Sequence, residues 1–325
     1  MKSTQMLKNF PIYRPLVGLN VQKIQSARLI TAIKTPFKYD GKIDLKSFDN
    51  HAEKQLKFGV EGFVIGGTTG EGHLLSWDEH IMLISHAKHK FGDRCLIIGN
   101  TGSNSTKEAI NATEQGFAVG MDAALQINPY YGKTSDKGLL KHFNSVLDIG
   151  PSIIYNVPSR TAQDIIPENM FKLAEHPNFI GVKECNNKYR IKTYSENNIF
   201  TWSGNDDECH ELRHNYGCNG VISVTSNIIP GLFRKMMNEE STDISKKTEK
   251  LIKLLFYQPN PIGINTLMMM LGLCEPVFRL PYVELDKNIR NEAIKIIEEI
   301  GIDHFLSKDR KIKELKDNEF CYIRY

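Results

Sequence analysis

The chain has 325 residues, 41% of them hydrophobic and 24% charged, and a formal net charge of +3 at pH 7. That length suits one large domain or two ordinary ones, with apolar residues enough for a sizeable core. A near-neutral balance without a dense Lys/Arg block excludes nucleic acid as the expected partner, and no apolar run has membrane-spanning length: "LMMMLGLC" (267–274) reads as a buried helix.

The N-terminus carries Lys2, Lys8, Arg14, Lys23, Arg28, Lys34 and Lys38 ahead of the first acid, Asp40. Over residues 1–26 this acid-free basic leader has the character of the end of an organelle transit peptide, although it is poor in serine. A basic arm running into the first strand is the other reading. From residue 27 on, short apolar runs alternate with helical periods. The runs are "ARLITAIK" (27–34), "GFVIGG" (62–67), "CLIIGN" (95–100), "AALQIN" (123–128), "SIIYNV" (152–157), "FIGVKE" (179–184), "IFTWSG" (199–204) and "GVISVT" (220–225). Each has the composition of a strand buried on both faces.

Helical segments lie between them. Asp44 is placed to open one as its N-cap and Gly59 to close it. Ser76 and Glu79 spell a capping box, Ser105 and Glu108 repeat it, and Gly116 is placed to end that second helix. Pro167 suits a first helical position. Eight such strand–helix units close as a (β/α)8 TIM barrel over residues 27–240. The rival doubly wound sheet lacks a G-x-G-x-x-G after any strand. "DISKKTEKLIKLLFYQ" and "KNIRNEAIKIIEEIG" give residues 241–325 a C-terminal helical region. Cys95, Cys185, Cys209, Cys218, Cys274 and Cys321 show neither C-x-x-C spacing nor a neighbouring His pair. They read as reduced thiols of an intracellular or organellar protein, and no metal site is expected.

Barrel chemistry belongs at the C-terminal strand ends. Lys183 ends the sixth run, and a lysine inside a barrel is costly unless paired or neutral. A partly neutral lysine can attack a carbonyl and form a Schiff base; a lysine directed to the helix layer is the alternative. Alternation bears on the choice: if Val182 faces the helices, Lys183 faces the barrel and Glu184 faces out. Tyr155 faces inward if Ile154 faces out, and is then either a proton relay or a core aromatic. Arg160 can clamp a carboxylate or lie on the surface. Tyr130 and Tyr131 make an aromatic lining or an interface. In "GGTTGEGHLLSWDEH" (66–80), Thr68, Thr69 and the glycine N–H groups form an uncharged anion site. No lysine follows as in a P-loop, so a small carboxylate suits it better than a nucleotide.

Taken together, "GGTTGE", "NPYY", "YNVPSRT", "GVKE", "SGNDDE" and "GVISVTSN" resemble the dihydrodipicolinate synthase family from about Ala27 to the C-terminus. "TAIKTP", "SWDEHIMLI", "IGNTGSNST", "EQGFAVGM" and "EPVFRLPY" are similar to its plant-type members, which implies a plastid location. The resemblance implies condensation of pyruvate with aspartate 4-semialdehyde in lysine biosynthesis, by a homotetramer built from tight dimers, without a cofactor. It makes Lys183 the Schiff-base residue and Tyr155, Thr68 and Tyr131 a proton-relay triad, with Tyr131 reaching in from a neighbouring subunit. Thr69 contacts pyruvate's carboxylate, Arg160 receives that of the semialdehyde, and Gly204 and the backbone of Ile222 line the site. Sister aldolases that cleave sugar-like 2-oxo acids, such as N-acetylneuraminate lyase, and a catalytically idle lysine-binding barrel are the rivals.

The same resemblance implies a feedback site for lysine formed by Gly72, His73, Trp77, His80, Asn104, Glu108 and Tyr130. The plant-type pattern has glutamine where this chain has His73, so lysine inhibition is expected to weaken as the pH falls toward 6.

Overall fold

The structure, a computed structural model, describes residues 17–324. Residues 1–16 of the expected leader lie outside the described residues. Eight strands, β1 (Leu29–Ala32), β2 (Gly62–Ile65), β3 (Leu96–Gly99), β4 (Ala123–Ile127), β5 (Ser152–Asn156), β6 (Phe179–Glu184), β7 (Thr201–Ser203) and β8 (Gly220–Ser223), pair in parallel as a closed barrel. Each falls within its apolar run. Closure is direct, with Ile30 of β1 in register with Ile222 of β8.

The helices in chain order are α1 (Val17–Ser26), α2 (Leu45–Lys57), α3 (Trp77–Phe91), α4 (Thr106–Ala118), α5 (Asp136–Leu147), α6 (Pro158–Thr161), α7 (Pro167–Ala174), α8 (Lys188–Glu196), α9 (Cys209–Asn215), α10 (Pro230–Asn238), α11 (Asp243–Leu255), α12 (Ile262–Met270) and α13 (Lys287–Ile300). The last three form the expected C-terminal helical region, joined there by a short parallel pair, β9 (Val277–Arg279) and β10 (Cys321–Ile323). Helix α1 covers residues 17–26 of the expected basic leader and packs under the barrel. Its Ile24 is fully buried with the barrel's inner layer, Gln25 Nε2 donates to Ile180 O, and Trp202 Nε1 reaches Ala27 O at 2.8 Å.

Local capping explains most boundaries. The Asp44 carboxylate accepts from the N–H groups of Lys46 and Ser47 and starts α2. Ser76 and Glu79 make both halves of the capping box of α3. At α4 only half of the expected box forms: Ser105 Oγ accepts from Glu108 N–H, but the Glu108 carboxylate takes its bond from Ser103 Oγ instead. Gly116 does not end that helix, which runs on to Ala118. A Cβ on Gly116 would lie 2.5 Å from Met121 Sδ, so the glycine serves close packing.

Alternation along the strands sorts two cores. Ile30, Val64, Leu125, Ile153, Tyr155 and Ile222 face the barrel interior, whereas Ile154 and Val182 face the helices with Leu139, Phe143 and Tyr194. His51, His80 and His142 are among the buried histidines of the helix layer. Burial pushes each imidazole down to about 4, against 6.5 in the unfolded chain. As the pH falls below 6.5 the unfolded chain binds those protons first, so stability is lost. Buried Glu184 has the opposite sign. Its carboxyl is raised to about 7, so the native state takes its proton first and gains. Buried Asp206 is raised as well and has the same sign as Glu184; the three histidines outweigh these carboxyls, and acidification from pH 7 to 5 is expected to lower stability. A thermal-melt series over that range checks this; a Tm that rises toward pH 5 contradicts it.

Candidate active site

A cavity of about 170 Å³ lies at the C-terminal ends of the strands. Lys183 reaches it from β6, in register with Tyr155 on one side and Trp202 on the other. The alternation holds: Val182 packs in the helix layer, Lys183 enters the barrel, and Glu184 turns outward again. There Glu184 accepts from Asn156 Nδ2 at 3.0 Å and from the N–H groups of Cys185 and Asn186 at 3.0 and 2.8 Å. These bonds tie the ends of β5 and β6 together behind the two inward side chains.

Lys183 is 7% exposed and has no ion-pair partner among the described residues. Its Nζ stands 4.3 Å from the centroid of the Tyr155 ring. Burial lowers its pKa below the usual lysine value, and burial raises the Tyr155 hydroxyl well above 10. The lysine is therefore more readily neutral than in water, while the tyrosine keeps its proton to give. Gly204, just past β7, leaves the room this requires: a Cβ there would fall 2.9 Å from Lys183 Cε and 2.2 Å from Cys185 Sγ.

The loop after β2 supplies Gly67, Thr68 and Thr69 to the wall. Thr69 Oγ1 accepts from Asn260 Nδ2 at 3.2 Å, which leaves its own proton for a ligand. Arg160, on the one-turn helix α6, lines the mouth, and its Nη2 donates to Asn260 O at 3.1 Å. Ile222 is buried in the barrel's inner layer, and Val224 just beyond β8 supplies that part of the wall. Tyr131 does not line this cavity; it is 94% exposed, with a left-handed backbone at φ +68°.

A second cavity of about 360 Å³ adjoins the first, and Gly67, Thr68, Asn100 and Arg160 line both. Gly72, His73, Trp77, His80 and Tyr130 come together around it. Gly66 makes this possible: it has φ +65°, and a Cβ there would lie 1.9 Å from His80 Nε2. Trp77 and His80 stack, with ring centroids 5.4 Å apart and 12° between planes. His73 Nε2 pairs with the Tyr282 hydroxyl at 2.7 Å. Burial lowers the His73 pKa below its ordinary 6.5, which moves the expected pH effect to more acidic conditions. Asn104 and Glu108 are exposed and lie outside this cavity's walls within one chain.

Sequence reasoning missed Asn260, Phe256 and Tyr282. The first two sit in "FYQPNP" (256–261), where aromatics precede an asparagine between prolines. That pattern marks a turn, but it follows no strand and so drew no attention.

The fold and cavity define the class: a (β/α)8 barrel enzyme with a buried lysine at the centre of its site. The family model for the dihydrodipicolinate synthetase family matches residues 25–300. The chain is 55% identical over 305 residues to the chloroplastic 4-hydroxy-tetrahydrodipicolinate synthase 1 of Arabidopsis thaliana, covering 94% of this chain and 83% of that protein. Among solved structures, dihydrodipicolinate synthase from Acinetobacter baumannii complexed with pyruvate superposes with a TM-score of 0.81 at 33% identity, over 84% of this chain and 98% of the other. The enzyme from Cyanidioschyzon merolae with lysine bound gives 0.81 at 30%, over 85% and 98%. The chain belongs to the dihydrodipicolinate synthetase family. It is a lyase of the plant type, and its chloroplastic relatives support the plastid expectation.

Proposed function

We propose that the protein condenses pyruvate with L-aspartate 4-semialdehyde through a Schiff base on Lys183 and that lysine inhibits it. The observation that carries this reading is a lysine buried with no ion-pair partner among the described residues, beside a tyrosine, in a small cavity with Thr68, Thr69 and Arg160 on its walls. The lysine amine attacks the ketone carbon of pyruvate, and loss of water leaves an imine. A proton leaves the methyl carbon, and the enamine carbon attacks the aldehyde, whose oxygen takes a proton. The product's own amine then displaces Lys183 and closes the ring. Every step moves a proton, so Tyr155 and Thr68 act as relay groups. Thr69 holds pyruvate's carboxylate, and Arg160 receives that of the semialdehyde.

Tyr131, exposed and outside its own chain's cavity, fits completion of the relay in a neighbouring copy within a homotetramer. The second cavity fits a free amino acid: Trp77 and Tyr130 offer aromatic walls, and His80 is held neutral beside them. The likeness to a pyruvate complex and to a lysine-bound structure supports both assignments. The test is turnover of purified enzyme with pyruvate and semialdehyde, titrated with lysine at pH 8, 7 and 6. Condensation is expected, with lysine inhibition weakest at the most acidic of the three pH values as His73 begins to protonate. Cleavage of sugar-like 2-oxo acids without condensation, or indifference to lysine at all three pH values, contradicts the reading.

A further inference from the structure

Thr68 and Thr69 stand on a loop that is held from outside the cavity. Glu71, two residues on, is fully buried and takes a left-handed backbone at φ +57°, a conformation that residues with a Cβ avoid. Its N–H donates to Thr68 O at 3.1 Å, and Leu74 N–H donates to Glu71 O at 2.8 Å, so the turn closes on this residue. Its Oε1 accepts from the Lys34 ammonium, just past β1, and from the Asn265 amide on α12. Lys34 is 1% exposed and lies 4.9 Å from the centroid of the Phe37 ring.

Such a pair is a poor source of stability, because desolvating two charges offsets their attraction, and apolar residues of similar volume often serve a core as well. Its location is more informative than its strength. Glu71 lies between Thr69, on the lysine cavity, and Gly72, on the second cavity, yet it lines neither.

We propose that Glu71, clamped by Lys34 and Asn265, is a positioning residue that aims the Thr68 hydroxyl into the Lys183 cavity. This rests on the reading of Thr68 as a relay group. The clamp acts through the backbone bond between Glu71 and Thr68, so its loss is felt in proton transfer rather than in pyruvate affinity.

The test is a double-mutant cycle in the full-length enzyme, Glu71→Gln with Thr68→Val, reading kcat, KM for pyruvate and Tm. Glu71→Gln is expected to lower kcat about tenfold to a hundredfold, with KM within about threefold. In the Thr68→Val background the same change is expected to cost less than about threefold, because the group it acts through is gone. Additive losses overturn the clamp while leaving the relay reading intact. A Thr68→Val variant with unchanged kcat overturns the relay reading, and the proposal with it. Should Glu71→Gln not fold, the pair Lys34→Met with Glu71→Leu removes both charges at similar volume. Folded protein with low kcat, again insensitive to Thr68→Val, supports the clamp. Wild-type kcat from that pair, or its failure to fold, overturns it.

Discussion

Lys183→Ala is expected to lower turnover by roughly ten-thousand-fold and to abolish covalent trapping of pyruvate by borohydride. The size follows from the site's composition. Lys183 is the one amine lining the cavity among the described residues, and the guanidinium of Arg160 there has no amine to attack a carbonyl. The remaining groups can hold pyruvate but cannot form an imine with it. Folding is expected to survive, because an uncompensated buried amine is a burden on stability and its removal leaves only a small cavity. Mass spectrometry of the borohydride-reduced wild-type enzyme should place one pyruvate-derived adduct on Lys183. Labelling of another lysine, or an alanine variant within about tenfold of wild type, would falsify the assignment. The rate of trapping should also rise with pH and level off below the ordinary lysine range. Burial lowers the Lys183 pKa, and the neutral amine is the attacking form.

Arg160→Ala should lower kcat/KM for the semialdehyde by about a hundredfold, the value of a charge-assisted bidentate contact of roughly 3 kcal/mol. Pyruvate trapping on Lys183 should persist, since Thr69 keeps its own bond from Asn260 Nδ2. Arg160→Lys is expected to recover little, because an ammonium lacks the planar fork that meets both carboxylate oxygens. The arginine's position adds a second readout. It lines both cavities and is held by Asn260 O, so its loss should shift lysine potency along with semialdehyde use. An unchanged kcat/KM for the semialdehyde removes Arg160 from the substrate site.

Much of the barrel was legible because parallel strands leave a strong mark. Each of the eight apolar runs contains one strand, and the two-residue period ties Lys183 and Tyr155 to the inner face once Val182 and Ile154 face the helices, as they do. Helix starts were legible where one side chain sets them, as at Asp44 and Ser76. The α4 boundary was misread because Ser103, Ser105 and Glu108 offer competing local bonds, and a glycine mid-helix looks like a stop when its packing partner is unknown.

The loop "GGTTGEG" shows where that legibility stops. Its threonines and glycines marked a carboxylate-sized anion site by their chemistry alone. Glu71 passed unnoticed, because its partners Lys34 and Asn265 lie 37 and 194 residues away in the chain. Asn260 was missed for the same reason, 191 residues from Thr69. Residue identity and period thus determine which strand ends carry reactive groups, and which way those groups face, since both depend on neighbours a few positions away. Which distant side chains hold the groups in place, and that Arg160 and Thr68 form a wall common to two cavities, was decided only when the barrel closed and the C-terminal helices packed over its mouth.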